Sequence, residues 1–215
     1  VDVFVTEIPV AKKNIPDDEF IPFFNSIRWN AHERTLDEPT KPWITSDRPN
    51  ARLNTFLDFS SIFKEGTGGF AYAELKAPNS WENGSRWAKV VDNITHLGVT
   101  FKSSPDSSLV WATYLRSGEP AKNMPVELRS DDNRVLWSGN TGPDGVALAP
   151  GWVDFGISTW TARHRPRLWA FVKDPKGTAG LSMDWRGGLE PWRLGVPYEW
   201  SLPSETYRGF LFTER

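Results

Sequence analysis

The chain has 215 residues, of which 39% are hydrophobic and 24% charged, with 17 glycines and 17 prolines. This balance is typical of a globular, turn-rich protein with one large or two small domains, and it argues against intrinsic disorder. The formal net charge of −2 gives no electrostatic attraction to nucleic acid or acidic membranes, and a cysteine count of zero excludes disulfides and thiolate metal sites within these residues.

Membrane and export signals are missing from the sequence pattern. Uncharged stretches are broken by proline, glycine or polar residues well before the length of a spanning helix, and the N-terminus does not read as a signal peptide. Position 1 is Val rather than Met. We therefore expect a processed chain or a fragment of a longer protein, with no membrane contact of its own.

The first 94 residues predict a β-rich domain with one helical insertion. VDVFVTEI (1–8) alternates as a strand does, whereas the period changes in 16–29, which predicts a helix near 17–29. The apolar stripe of that helix consists of Phe20, Phe23, Phe24 and Ile27. Further strand patterns occur in LNTFLDFSSIF (53–63), GGFAYAELKA (68–77) and RWAKVVDNI (86–94). The sequence leaves open whether residues 1–94 form a complete sandwich or part of one.

The sequence pattern of the second domain, residues 95–215, predicts a β-sandwich more clearly than that of the first. Short strand patterns recur about every ten residues with turn signals between them, which is typical of an all-β sandwich. The patterns are THLGVTF (95–101), SLVWATYL (108–115), RVLWS (134–138), RLWAFV (167–172) and AGLSMD (179–184). SLVWATYL is apolar on both faces, so we expect a central strand, with Trp111 and also Trp169 in the core.

The whole chain is thus predicted to be mainly β, with two tandem antiparallel sandwiches of the fibronectin III or immunoglobulin type, the first carrying the helical insertion. The twelve tryptophans favour buried positions in cores and between domains, because each ring removes about 200 Å² from water. The alternative is a carbohydrate-binding or cell-surface adhesion pair of sandwiches that uses exposed tryptophans.

Several motifs of the second domain occur in an order that resembles a known family. They are HLGVTF near the domain start, WATYLRSGEP (111–120), TGPDG (141–145) and FLFTER (210–215). This order resembles the upstream macroglobulin-like domains of bacterial alpha-2-macroglobulins, and the resemblance covers residues 95–215. His96 departs from it, because the opening motif of the family usually carries Asp there.

The resemblance implies a structural function. Bacterial alpha-2-macroglobulins are broad-spectrum protease inhibitors of the periplasm, often anchored to the inner membrane, that trap a protease after it cuts a bait segment. Residues 1–215 would be non-catalytic scaffold domains in that defence, with neighbouring domains of the parent chain as contacts and host or competitor proteases as partners of the full-length protein. FLFTER would be the closing strand of one module before the next.

No group of residues in the sequence predicts a catalytic, metal or cofactor site. His32, His96 and His164 lie in different elements without ligand spacing, so we expect no metal, no cofactor and no catalytic residue, and the chain is not predicted to be an enzyme. MDWRGGLEPWRLGVPYEW (183–200) is long for a sandwich connection and rich in aromatic residues. Its Trp185, Trp192 and Trp200 are the predicted inter-domain contact.

Overall fold

The computed structural model describes residues 7–29, 33–37, 40–44, 56–77, 86–157 and 167–183. These parts of the chain are mostly β-structure in three sheets, and every strand pairing among them is antiparallel. The predicted mainly β class is therefore confirmed. None of the helices in these ranges is long and apolar enough to cross a membrane.

The first half contains one four-stranded sheet and a helix. The sheet has the order β2–β1–β3–β4. Its strands are β1 (Glu7–Ile15), β2 (Lys41–Ile44), β3 (Gly69–Ala77) and β4 (Arg86–Ile94). The helix α1 (Phe20–Trp29) follows β1, with Pro22 in its first turn, where a missing N–H costs little. In the described part of this unit, the apolar face of the sheet is covered by α1.

The described residues of the second half form a sandwich of seven strands. One sheet has the order β5–β6–β9 and the other β11–β10–β7–β8. The strands are β5 (Leu97–Ser103), β6 (Ser107–Tyr114), β7 (Pro125–Ser130), β8 (Val135–Asn140), β9 (Val146–Pro150), β10 (Leu168–Val172) and β11 (Ala179–Ser182). Between the sheets lies a tight core with an unusual share of alanine: Ala112, Ala121, Ala147, Ala149, Ala170 and Ala179.

Turn chemistry closes the hairpin that leads into β9. The Asp144 carboxylate accepts a hydrogen bond from the Val146 amide at 3.0 Å, and the Gly142 amide donates to the Val146 carbonyl at 2.8 Å. An aspartate that binds the backbone two residues ahead is the expected local interaction in such a turn. The chain reversal predicted from TGPDG is confirmed.

Two sequence expectations were wrong in detail. Residues 56–63 contain a short 3-10 helix, Ser60–Ile62, and no strand, because the Asp58 carboxylate accepts the Ser60 amide and nucleates a turn. Trp111 is 46% exposed and lies outside the core. Trp169 is buried as predicted. Residues 1–6 of the first predicted strand and the FLFTER strand lie outside the described residues.

Two residues, Thr95 and His96, join β4 to β5. The predicted boundary between residues 94 and 95 falls in this connection and stays a prediction. It does not separate two independent cores, because residues of β10 belong to the same buried cluster as residues of β1, α1 and β3.

Candidate interdomain interface

Helix α1 packs between the first sheet and the outer face of the second sheet of the sandwich. Its stripe has the predicted period: Phe20 and Ile27 are buried, and Phe23 and Phe24 pack partly buried against the same cluster. Phe20 stacks on Phe70 of β3, with ring centroids 3.7 Å apart. A helix that buries one face needs a partner surface, and here two sheets provide it.

Strand β10 provides the sandwich side of this interface. Trp169 meets Phe20 and Phe24 edge to face, with ring centroids 5.9 and 5.4 Å apart, and Phe171 meets Phe70 at 5.7 Å. Such T-shaped pairs stabilise beyond the area they bury, by about 0.5–1.5 kcal/mol each. All five residues of β10 are buried: Ala170 and Val172 belong to the sandwich core, while Trp169 and Phe171 belong to the cluster shared with the first half.

A charged residue is buried beside these rings. Arg129 of β7 is 5% exposed, and its guanidinium carbon lies 4.6 Å from the centroid of the Phe171 ring. Its Nη1 donates to the Asp17 carbonyl at 3.0 Å, just before α1, and to Asn133 Oδ1 at 3.1 Å. The planar guanidinium thus donates hydrogen bonds both to a backbone carbonyl of the first half and to a side chain of the second half.

Glu127 compensates the buried positive charge. Its Oε2 accepts from Arg129 Nη2 at 2.6 Å, and its Oε1 accepts from Lys173 Nζ. Burial acts to raise the pKa of Glu127, but the hydrogen bonds from Lys173 and Arg129 outweigh that effect and lower it. The carboxylate is therefore ionised at neutral pH, and the cluster is a fixed ion network rather than a proton-transfer site.

Backbone also meets backbone across the interface. The Gly68 amide donates to the Lys176 carbonyl at 2.7 Å, and the Asn93 side chain binds the Thr178 carbonyl at 2.9 Å and the Gly180 amide at 2.9 Å. A Cβ added at Gly180 would lie 2.5 Å from the Phe70 ring. A side chain here would displace the Phe70 ring or β11, so glycine permits the close packing of β11 on that ring.

His96 lies at the connection between the two halves. Its ring stacks on Tyr114, with centroids 5.7 Å apart, and its Nε2 is 3.4 Å from Asp174 Oδ2 in the turn between β10 and β11. The position that departs from the family motif therefore has a structural role here. It contacts both the sandwich edge and the turn that carries Lys176.

A second buried carboxylate fixes the segment that follows α1. Glu74 of β3 is fully buried and accepts the Thr35 and Leu36 amides at 2.8 and 2.9 Å and the Tyr72 hydroxyl at 3.0 Å. Burial, with the neighbouring carboxylate adding to it, raises the pKa of Tyr72. Both oxygens of Glu74 have hydrogen-bond partners, as buried polar groups generally do.

The predicted inter-domain contact stays a prediction. Trp185, Trp192 and Trp200 lie outside the described residues, as do His32 and His164. Sequence reasoning missed Arg129, Asn93 and Gly180, whose polar or small side chains carry no signal of burial. Among the described residues, no group of acidic and histidine side chains could hold a metal ion.

Comparisons with known proteins identify the family of this chain. The model of the bacterial alpha-2-macroglobulin MG3 domain matches residues 94–201, just over half of the chain. A solved structure of native alpha-2-macroglobulin from Escherichia coli spanning domains NIE-MG1 is similar at 11% identity and a TM-score of 0.63, with 84% of this chain and 85% of that chain covered. No curated protein sequence matches.

A second structure of the Escherichia coli protein, spanning domains MG0-NIE-MG1, is similar at 11% identity and a TM-score of 0.55, with 84% of this chain and 56% of that chain covered. At such identity the likeness establishes the fold and carries no domain assignment. The sequence match decides the family. With its seven-stranded sandwich and the MG3 match, the chain belongs to the bacterial alpha-2-macroglobulin family.

Proposed function

We propose that these residues are a rigid, non-catalytic structural part of a bacterial alpha-2-macroglobulin that traps proteases. The interface between the two halves carries this proposal. A protein that encloses another molecule needs wall elements that keep their relative orientation, and here rings, an ion network and backbone contacts all fix one orientation.

The chemistry of the described residues supports a structural function. No buried side-chain nitrogen or oxygen among them is without a hydrogen-bond partner. Backbone strain and buried polar groups without partners occur preferentially at functional sites. The charged clusters at Arg129 and Glu74 are instead fully occupied by partners that hold segments of chain together.

The proposal extends to the parent protein. We place it in the periplasm, with anchoring to the inner membrane as in many members of the family, and with host or competitor proteases as its partners. Neighbouring domains of the parent chain would contact these residues directly. Bait cleavage and covalent capture would belong to other parts of that chain.

The experiment that tests the proposal mixes purified residues 1–215 with trypsin. The chain offers 25 lysines and arginines, yet we expect no single favoured internal cut and no decrease in the rate at which trypsin digests a second protein. Mass spectrometry of early digests and a casein-digestion rate give the two measurements. Rapid inhibition of trypsin, or one dominant cut with the rest intact, would contradict a scaffold function.

The carbohydrate alternative depends on exposed tryptophans. Five tryptophan side chains are described, and Trp111 is the exposed one among them: Trp87 and Trp137 are half-buried, and Trp152 and Trp169 are buried. A stacking platform for sugars needs several open rings. Saturable heat of binding to one polysaccharide in isothermal titration would favour this alternative over the scaffold.

A further inference from the structure

The outer surface of β6 and β9 is apolar where an antiparallel sheet with one buried face is normally polar, whereas the outward residues of β5 are Gly98, Thr100 and Lys102. On β6, Ser108, Val110 and Ala112 point inward and are buried, so the alternating residues point outward. The Trp111 face consists of Leu109 and Trp111 of β6, Leu115 just after that strand, and Val146 and Leu148 of β9, with Thr113 as the polar member of the same row.

Strand register makes these side chains one contiguous surface. Trp111 is paired with Val146, and Leu109 with Leu148. Directly paired residues on one face have Cβ atoms about 4.5–5.5 Å apart, so these four side chains are neighbours. Leu148 is 72% exposed and Leu115 is 65% exposed. Contiguous apolar patches of this kind mark a contact with something else.

The other outer face of the sandwich is already covered. Helix α1 and the first sheet pack on β10 there, through Phe20, Phe70 and Trp169. Within the described residues, the Trp111 face is the large sheet face that has no cover. The family match continues to residue 201, about 18 residues beyond the last described position, so the domain includes more chain than the seven strands.

The last described strand lies next to one edge of the sheet that carries this face. β11 lies next to β5, which is the edge strand of the sheet that carries the Trp111 face. Strands are about 4.8 Å apart, so crossing from β5 to β9 requires about 10 Å. Residues 184–201 can span up to about 60 Å when extended, so their length is ample.

The composition of that segment matches the surface. It carries seven large apolar or aromatic side chains: Trp185, Leu189, Trp192, Leu194, Val196, Tyr198 and Trp200. A segment tethered to the domain also has an effective concentration in the millimolar range at this face, which a separate molecule rarely reaches. We propose that residues 184–201 dock across the Trp111 face and complete the hydrophobic cover of this domain.

This proposal is independent of protease trapping, since it concerns contacts inside the chain. The test uses thiol labelling, because the chain has no cysteine of its own. Leu148→Cys places one thiol at the centre of the face. Val135→Cys on β8 is the matched control, because Val135 is 52% exposed and lies on the other sheet.

From the described exposures alone, the thiol at 148 should react with a maleimide faster than the thiol at 135. Docking predicts the reverse, with the 148 thiol slower by about tenfold, since protection measures how rarely the cover opens. Adding Trp192→Ser and Trp200→Ser should raise the 148 rate to that of the control and leave the 135 rate unchanged.

Three results would overturn the proposal. Equal rates at 148 and 135 in the unsubstituted segment would mean that the face is open to a separate partner. Protection that weakens on dilution would assign the face to a second copy of the chain. Protection that survives both tryptophan substitutions would assign it to another part of the chain.

The tryptophan substitutions could prevent the segment from folding, so a second measurement leaves both tryptophans in place. Leu148→Cys combined with Leu194→Cys should form a disulfide under mild oxidation, detected by peptide mass spectrometry. The pair Val135→Cys with Leu194→Cys should form it at least about tenfold more slowly, because only the first pair is held together. Equal yields for the two pairs would also contradict docking.

Discussion

Replacing Trp169 by alanine should destabilise both halves of the molecule together. The ring is 2% exposed, contacts Phe20 and Phe24 edge to face, and its Nε1 donates to Asp131 Oδ1 at 3.3 Å. Removing a buried ring of this size leaves a cavity and typically costs about 3–5 kcal/mol of unfolding free energy. For a chain of this length, that loss lowers Tm by roughly 6–20 °C.

The assay is urea unfolding of residues 1–215, followed by far-UV circular dichroism so that the loss of one tryptophan does not change the signal itself. We expect one transition, shifted as a whole, because Trp169 belongs to the core that the two halves share. Val135→Ala is the control, and it should change the unfolding free energy by about 0.5 kcal/mol or less.

A loss below about 1 kcal/mol would show that the ring does not hold the interface. Two separate transitions, of which only one moves, would show that the halves unfold independently. A double-mutant cycle with Phe20→Ala sharpens the result. The two substitutions should be less than additive, since both remove the same contact.

Three further predictions concern polar and small residues. Gly180→Ala should destabilise by about 1–3 kcal/mol in the same urea assay, because its Cβ would overlap the Phe70 ring; a neutral result would mean that β11 can shift away. Glu74→Gln should cost about 1.5–3 kcal/mol, since the carboxylate holds two backbone amides, while Glu65→Gln in an exposed turn should cost almost nothing. The folded-state pKa of Glu127 lies below its ordinary value of 4.5, so its stabilisation is present above pH 4.5 and is lost as the pH falls through the lowered value. The unfolding free energy of Glu127→Gln should therefore fall less steeply with decreasing pH than that of the unsubstituted chain. An equal slope for the two would contradict the ion network.

The helix α1 and the strand pattern of the sandwich could be predicted because their signals are local. The stripe of Phe20, Phe23 and Phe24 has helical period, and the stripe is the face that packs in the structure. The Pro-Asp-Gly turn depends on bonds within a few residues. Local periodicity and turn chemistry carry this information without knowledge of the rest of the chain.

The burial of particular residues could not be predicted, because it depends on what covers a face. Trp111 and Trp169 both lie in strands that are apolar on both faces, yet only Trp169 is covered by the first half of the chain. Arg129 alternates with core residues as a solvent-facing side chain would, but α1 and β3 lie over that face. Such packing joins residues more than a hundred positions apart, and no local pattern records it.

Strand β10 must keep its register for both cores to form. Ala170 and Val172 belong to the alanine-rich cluster between the sheets, whereas Trp169 and Phe171 belong to the ring-rich cluster on the other side. Slippage by one residue would force two large rings into the alanine-rich cluster and leave the ring-rich cluster underfilled. The unequal side-chain volumes on the two faces of β10 therefore oppose mispairing of this strand by one residue.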